Sequence, residues 1–92
     1  MANLLSAKKR IRQNEVRRMR NRQRKSNVRT HVRKFTDAVH AGDLDQAREA
    51  LRVVSKLLDQ TAAKGTIHRN AASRKKSRLA RRLNKAQAVK TE

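Results

Sequence analysis

The chain contains no cysteine and no proline. Without cysteine there can be no disulfide framework and no thiolate zinc site, and nothing marks an oxidising compartment. Phe35 is the only aromatic residue. A platform of stacked aromatics, the usual means of holding unpaired bases, is therefore excluded. Only two glycines are present, at 42 and 65, and neither lies in a glycine-rich phosphate loop. No apolar run approaches the ~18 residues of a membrane span. The opening Met1–Arg10 stretch lacks the apolar core of a secretory signal, so export is not expected.

Acidic residues are scarce as well. Seven Asp and Glu stand against 26 Lys and Arg in 92 residues, a net charge of +19. Self-repulsion at this charge opposes compaction of the free chain. A polyanion relieves it, and release of the polyanion's counterions drives association. Nucleic acid is the expected partner. The charge is also uneven: residues 1–34 carry 13 basic and 1 acidic residue, residues 35–60 carry 3 and 5, and residues 61–92 carry 10 and 1. One near-neutral structural element thus lies between two cationic ones. The length allows a single domain.

With proline absent, Gly42 and Gly65 divide the chain into three uninterrupted pieces. Glycine commonly follows a helix end, because it enters the left-handed region without a Cβ clash. Asp43 is placed to cap the second helix, with Gln46 completing a capping box, and Thr66 to cap the third. In helix two, Leu44, Ala47, Leu51, Val54, Leu58 and Ala62 step by three or four residues and form one apolar stripe, with Leu57 at its margin. Ala72, Leu79, Leu83 and Ala86, entered from Ile67, form a narrower stripe in helix three. Val28, Val32, Phe35 and Val39 form one at the end of helix one. The fold expected is all-α, a three-helix bundle with a long, projecting first helix.

Residues 1–27 have no continuous apolar seam. Val16 and Met19 fall opposite Val28, Val32, Phe35 and Val39 on a helical wheel, and cations point in all directions. A helix over residues 7–40 would be ~50 Å long against ~30 Å for residues 44–63. Residues 1–27 are therefore read as a basic projection contacted by nucleic acid on more than one side, residues 28–86 as the bundle and residues 87–92 as a tail. Ser26-Asn27 is the weakest point of the helix by propensity, and a bend is expected there. The projection is expected to be largely unfolded alone and to become helical on binding.

No zinc-finger spacing is present. The signal favours a structured, duplex-rich target recognised through phosphates and shape. Sixteen of the basic residues are Arg, whose planar fork can hold phosphate bidentately. On helix three, Arg74, Lys76, Arg78, Arg81 and Lys85 are read as phosphate ligands. Lys75 and Arg82 border the apolar stripe, where their stems can cover it. His31, His40 and His68 are far apart and are read as surface or capping residues, so no metal and no cofactor is implied. No carboxylate pair suggests catalysis, and no enzyme activity or small-molecule substrate is expected.

Two further blocks carry more specific information. Met1-Ala2-Asn3 with Ser6-Ala7-Lys8-Lys9-Arg10, and the run from Ala62 through Gly65-Thr66-Ile67-His68-Arg69-Asn70 to Leu79, resemble the protein-twenty family of the bacterial small ribosomal subunit. Ala41-Gly42-Asp43 at the first turn is similar too, and the likeness covers roughly residues 1–86. Leu4-Leu5 depart from the polar or basic residue more usual in that family. The resemblance implies a cytoplasmic, ribosome-bound protein that binds 16S rRNA directly and helps the subunit fold and assemble. It implies contact with the 5′ domain and with the long penultimate helix of the 3′ minor domain, and other small-subunit proteins nearby. The implied rRNA-binding residues are Lys8, Lys9, Arg10, Arg12, Arg17, Arg18, Arg20, Arg22, Arg24, Lys25, Arg29 and Arg33, then Arg69, Asn70, Arg74, Lys75, Lys76 and Arg78. Residue chemistry alone adds Arg81, Arg82 and Lys85. A histone-like DNA-packaging protein is the rival reading, although such proteins usually need a dimer interface or a wedge residue. A membrane-active helix would need a strongly apolar face set against its polar one, which residues 8–27 lack.

Overall fold

The computed structural model describes residues 2–91, with side chains described for residues 4–89; Met1 and Glu92, the outermost residues of the projection and tail, lie outside the described residues. Three helices follow one another: α1 (Ala2–Ala41), α2 (Leu44–Ala63) and α3 (Arg69–Thr91). Both glycines sit where the helices reverse, at φ 75° for Gly42 and 77° for Gly65. The turns are closed by backbone bonds. The Gly42 and Asp43 N–H groups donate to the Val39 and Ala38 carbonyls, and those of Gly65 and Thr66 to Ala62 and Thr61. Carbonyls that would otherwise be orphaned at each helix end are satisfied in this way.

The caps divide between expectation and correction. Asp43 Oδ1 accepts from the Gln46 N–H at 3.2 Å and caps α2 as the sequence predicts. Thr66 does not cap α3. His68 holds that position: its carbonyl accepts from the Ala72 N–H at 3.1 Å, and its Nδ1 accepts from the Asn70 N–H at 3.1 Å. The Thr66 hydroxyl is engaged elsewhere, on α1.

The apolar stripes meet. Val28 and Phe35 from α1, Ala47, Val54 and Leu58 from α2, and Ala72, Leu79 and Leu83 from α3 form one buried cluster. Phe35 is 0% exposed and is among the largest fully buried side chains. Val32, Val39, Leu44, Leu51, Leu57, Ala62 and Ile67 pack around it, half-buried. Thr61 is buried too, and its hydroxyl is satisfied by the Leu57 carbonyl one turn earlier. α2 is the central member and packs on both of the others.

Helix lengths set the outline. α1 has 40 residues and α2 has 20, or ~60 Å and ~30 Å. α2 starts level with the end of α1 and runs back along only half of it. The molecule is accordingly 72 Å long, 22 Å wide and 13 Å thick. Every side chain from Leu4 to Arg20 is exposed, and bundle contact begins at Asn21. α1 runs as one continuous α-helix through Ser26-Asn27. There the Thr30 hydroxyl donates to the Ser26 carbonyl and His31 Nδ1–H to the Asn27 carbonyl. The tail residues 87–91 continue α3, so that Val89 overhangs the first turn and shares a hollow with Val39 and Leu44.

Candidate nucleic-acid interface

The basic residues fall on three surfaces. The first runs along α1. Arg18, Arg22, Lys25, Arg29 and Arg33 step by three, four or seven residues and so share one face. All five are exposed or half-exposed. This ridge passes from the free rod onto the bundle without interruption, over ~22 Å. Lys8, Lys9, Arg10, Arg12, Arg17 and Arg20 point elsewhere around the rod, and each is exposed. Among them stand Leu4, Leu5, Ile11, Val16 and Met19, from 48% to 69% exposed. None of the described residues covers them.

The second surface is the outer side of α3. Arg74, Arg78, Arg81 and Lys85 recur at helical spacing opposite Ala72, Leu79 and Leu83, and all four are exposed. Burial of the apolar side against α2 therefore fixes the direction in which the cations point. Arg69 and Asn70 lie exposed in the first turn. Lys75 stands at the edge of a hollow floored by Val28, Leu58 and Ile67, with Lys25 and Arg29 across from it. Arg82 stands beside Val39 and Ala86 in the hollow under Val89. Both residues thus flank the core, as their register predicts. Lys76 differs: its Nζ lies 2.9 Å from Asp59 Oδ1, and it ties α3 to α2.

The third surface is a step. Where α2 ends, α1 continues, and the α2–α3 turn abuts the side of the rod. Arg12, Arg17, Arg20, Arg24 and Lys64 line the resulting concavity of about 820 Å³. Arg24 is half-buried and held in place. Its Nη1 donates to Asn21 Oδ1 and to Thr66 Oγ1, both at 3.2 Å, and Thr66 Oγ1 donates to Asn21 Oδ1 at 2.9 Å. Residue type and spacing do not single out Lys64, Asn21 or Thr66 for this site. No local motif could do so, because the step exists only where two helices of unequal length lie together.

Among the described carboxylates Glu15 alone stands on the rod, where it is exposed. Asp45 pairs with Arg48 at 2.8 Å and Glu49 with Arg52 at 2.7 Å, both along α2. The hydrogen bond from Arg52 to Glu49, and then Glu49's charge, raise the guanidinium above its ordinary pKa. The middle of the molecule is thereby close to self-neutralised, while rod and ridges keep their charge. Among the described residues no group of His, Asp and Glu could hold a metal ion, and no helix is long and apolar enough to cross a membrane.

A small bundle that leaves its cations on two ridges, a free rod and a concave step is a polyanion-binding module. The sequence profile of the family described as Ribosomal protein S20 matches residues 2–84, and the chain belongs to that family. Similar proteins include the small ribosomal subunit protein bS20 of Geobacillus kaustophilus, 52% identical over 88 residues that cover 96% of this chain and 99% of that protein. The bS20 of Mycolicibacterium smegmatis is 55% identical over 85 residues, covering 92% and 99%. That of Frankia casuarinae is 54% identical over 81 residues, covering 88% and 91%.

Proposed function

We propose that this chain is a structural constituent of the small ribosomal subunit that binds 16S rRNA directly and stabilises its folding during subunit assembly. It is an RNA-binding ribosomal protein of the cytoplasm and not an enzyme. The observation that carries this reading is the match to the S20 family over nearly the whole chain. The +19 charge supports it, being displayed on exposed faces and not cancelled within the fold. Phosphate contacts from Lys8, Lys9, Arg10, Arg12, Arg17, Arg18, Arg20, Arg22, Arg24, Lys25, Arg29 and Arg33 position the first helix. Arg69, Asn70, Arg74, Lys75, Lys76, Arg78, Arg81, Arg82 and Lys85 do the same for the third. Residues 1–27 act as the RNA-inserted arm of the single domain, and exposure on every side of the rod supports contact from more than one RNA element. The 5′ domain and the long penultimate helix of the 3′ minor domain are those elements in this reading, which follows the family resemblance. Other small-subunit proteins lie nearby.

Crosslinking of the protein to total cellular RNA, with sequencing of the attached fragments, tests the assignment. Fragments concentrated in those two regions of 16S rRNA are expected. Sedimentation in magnesium supplies the control: comigration with nucleoid DNA instead of the small subunit would favour DNA packaging and overturn the reading.

A further inference from the structure

We propose that the step between the rod and the α2–α3 turn is a binding notch for a single strand of RNA backbone. Arg17, Arg20, Arg24 and Lys64 are its phosphate ligands, and Asn21 and Thr66 are positioning residues that set Arg24. The inference rests on the rRNA-binding reading and adds to it a site, a ligand geometry and three residues.

Charge argues first. Five cations line the notch and, among the described residues, no carboxylate does. Like charges so gathered repel one another until an anion enters. Shape argues next. The notch is concave on two sides, with the flank of α1 as one wall and the turn as the other. About 820 Å³ suffices for a few nucleotides of one strand. Arg17, Arg20 and Arg24 lie one helical turn apart, a rung every ~5–6 Å along the wall. Lys64 faces them from the C-cap of α2. At Gly65 nothing lies within 4 Å of where a Cβ would stand, so the floor is open to close approach by a ligand.

The latch supplies the third reason. A guanidinium has five N–H donors. Arg24 uses Nη1 on Asn21 and Thr66, which fixes the plane of the group and presents its remaining edge to a ligand. A phosphate meeting a fixed fork incurs less ordering cost than one meeting a mobile side chain. The same three residues join the α2–α3 turn to the rod, so a strand in the notch would touch the bundle and the rod at once.

The test uses the full-length chain and transcribed 16S rRNA, measuring affinity across salt concentrations and the backbone footprint. Lys64→Gln and Arg20→Gln are each expected to make the log–log salt dependence shallower by about 0.7–0.9. Both should remove protection from the same short run of nucleotides, and Arg81→Gln on the α3 ridge should remove protection elsewhere. Thr66→Val keeps every charge. It is expected to weaken binding about two- to ten-fold at an unchanged salt slope, and to have no further effect once Arg24 is Gln. Separate footprints for Lys64 and Arg20, or variants that bind like the parent, would overturn the notch while leaving the rRNA reading intact. The second result would point to an acidic protein segment as the occupant. Failure of the parent chain itself to bind 16S rRNA overturns both.

Discussion

The Thr66 hydroxyl donates to the Asn21 side-chain oxygen at 2.9 Å, across 45 residues of sequence. This bond marks the place where the bundle ends and the free rod begins. On its N-terminal side every described side chain of α1 is exposed. On its C-terminal side lies Val28, the first buried residue. Thr66 would otherwise be an ordinary turn residue, and Asn21 an ordinary polar position on a basic helix.

Loss of that hydroxyl should be felt in stability. Thr66→Val leaves the Asn21 oxygen with Arg24 alone, in a half-buried setting, and is expected to cost about 1 kcal/mol. Thermal unfolding followed by circular dichroism reads this as a lower midpoint, and Thr66→Ser should restore most of it. A midpoint equal to the parent's would show that the bond contributes nothing.

Phe35 carries far more. It is wholly buried and sits in the cluster where all three helices meet. Phe35→Ala should cost ~3–5 kcal/mol, a large part of what so small a core can supply. The variant is expected to lose most of its helical signal at room temperature, and retention of a cooperative transition near the parent's midpoint would contradict that account.

The turns give a sharper contrast. At Gly42 and Gly65 an added Cβ would meet no atom within 4 Å, so alanine is opposed only by the backbone. Its cost in the left-handed region is about 1–2 kcal/mol. Gly42→Asn should be milder than Gly42→Ala, since asparagine tolerates that region better. Asp43→Ala should remove about 1 kcal/mol by loss of the cap. Denaturant titration ranks the variants; an alanine at 42 as stable as glycine would refute the conformational explanation.

Order in the rod is expected to depend on RNA. Residues 4–20 form helix with every side chain exposed, and a helix that buries no face against a tertiary partner is marginal in water. Like charges along it weaken it further. Amide exchange in the free protein should therefore be fast over residues 2–20 and slow over residues 28–39, with the rod becoming protected in the rRNA complex. Strong protection of the rod before RNA is added would count against coupled folding.

Much of this was legible along the chain. Gly42 and Gly65 mark the helix ends because few other residues fit a left-handed turn, and the absence of proline leaves nothing else to interrupt a helix. The three apolar stripes recur at helical spacing, so both the core and the outward direction of Arg74, Arg78, Arg81 and Lys85 follow from local pattern. Thr66 shows where pattern stops. Its position after a glycine suits a cap, yet Asn21 and Arg24 take its hydroxyl and His68 caps α3 instead. The competing partner lies 45 residues away, beyond the reach of any periodicity.

Composition and periodicity by themselves determined the class of partner, three helices and the residues they bury, since charge count and helical repeat are properties of the chain as written. Tertiary structure alone decided where the rod leaves the bundle, that Lys64 faces Arg20 and Arg24 across a concave step, and that Lys76 is tied to Asp59 while Arg74 and Arg78 stay exposed. The reason is geometric: a cleft between helices of unequal length depends on where each one stops relative to the other, and packing in three dimensions sets that.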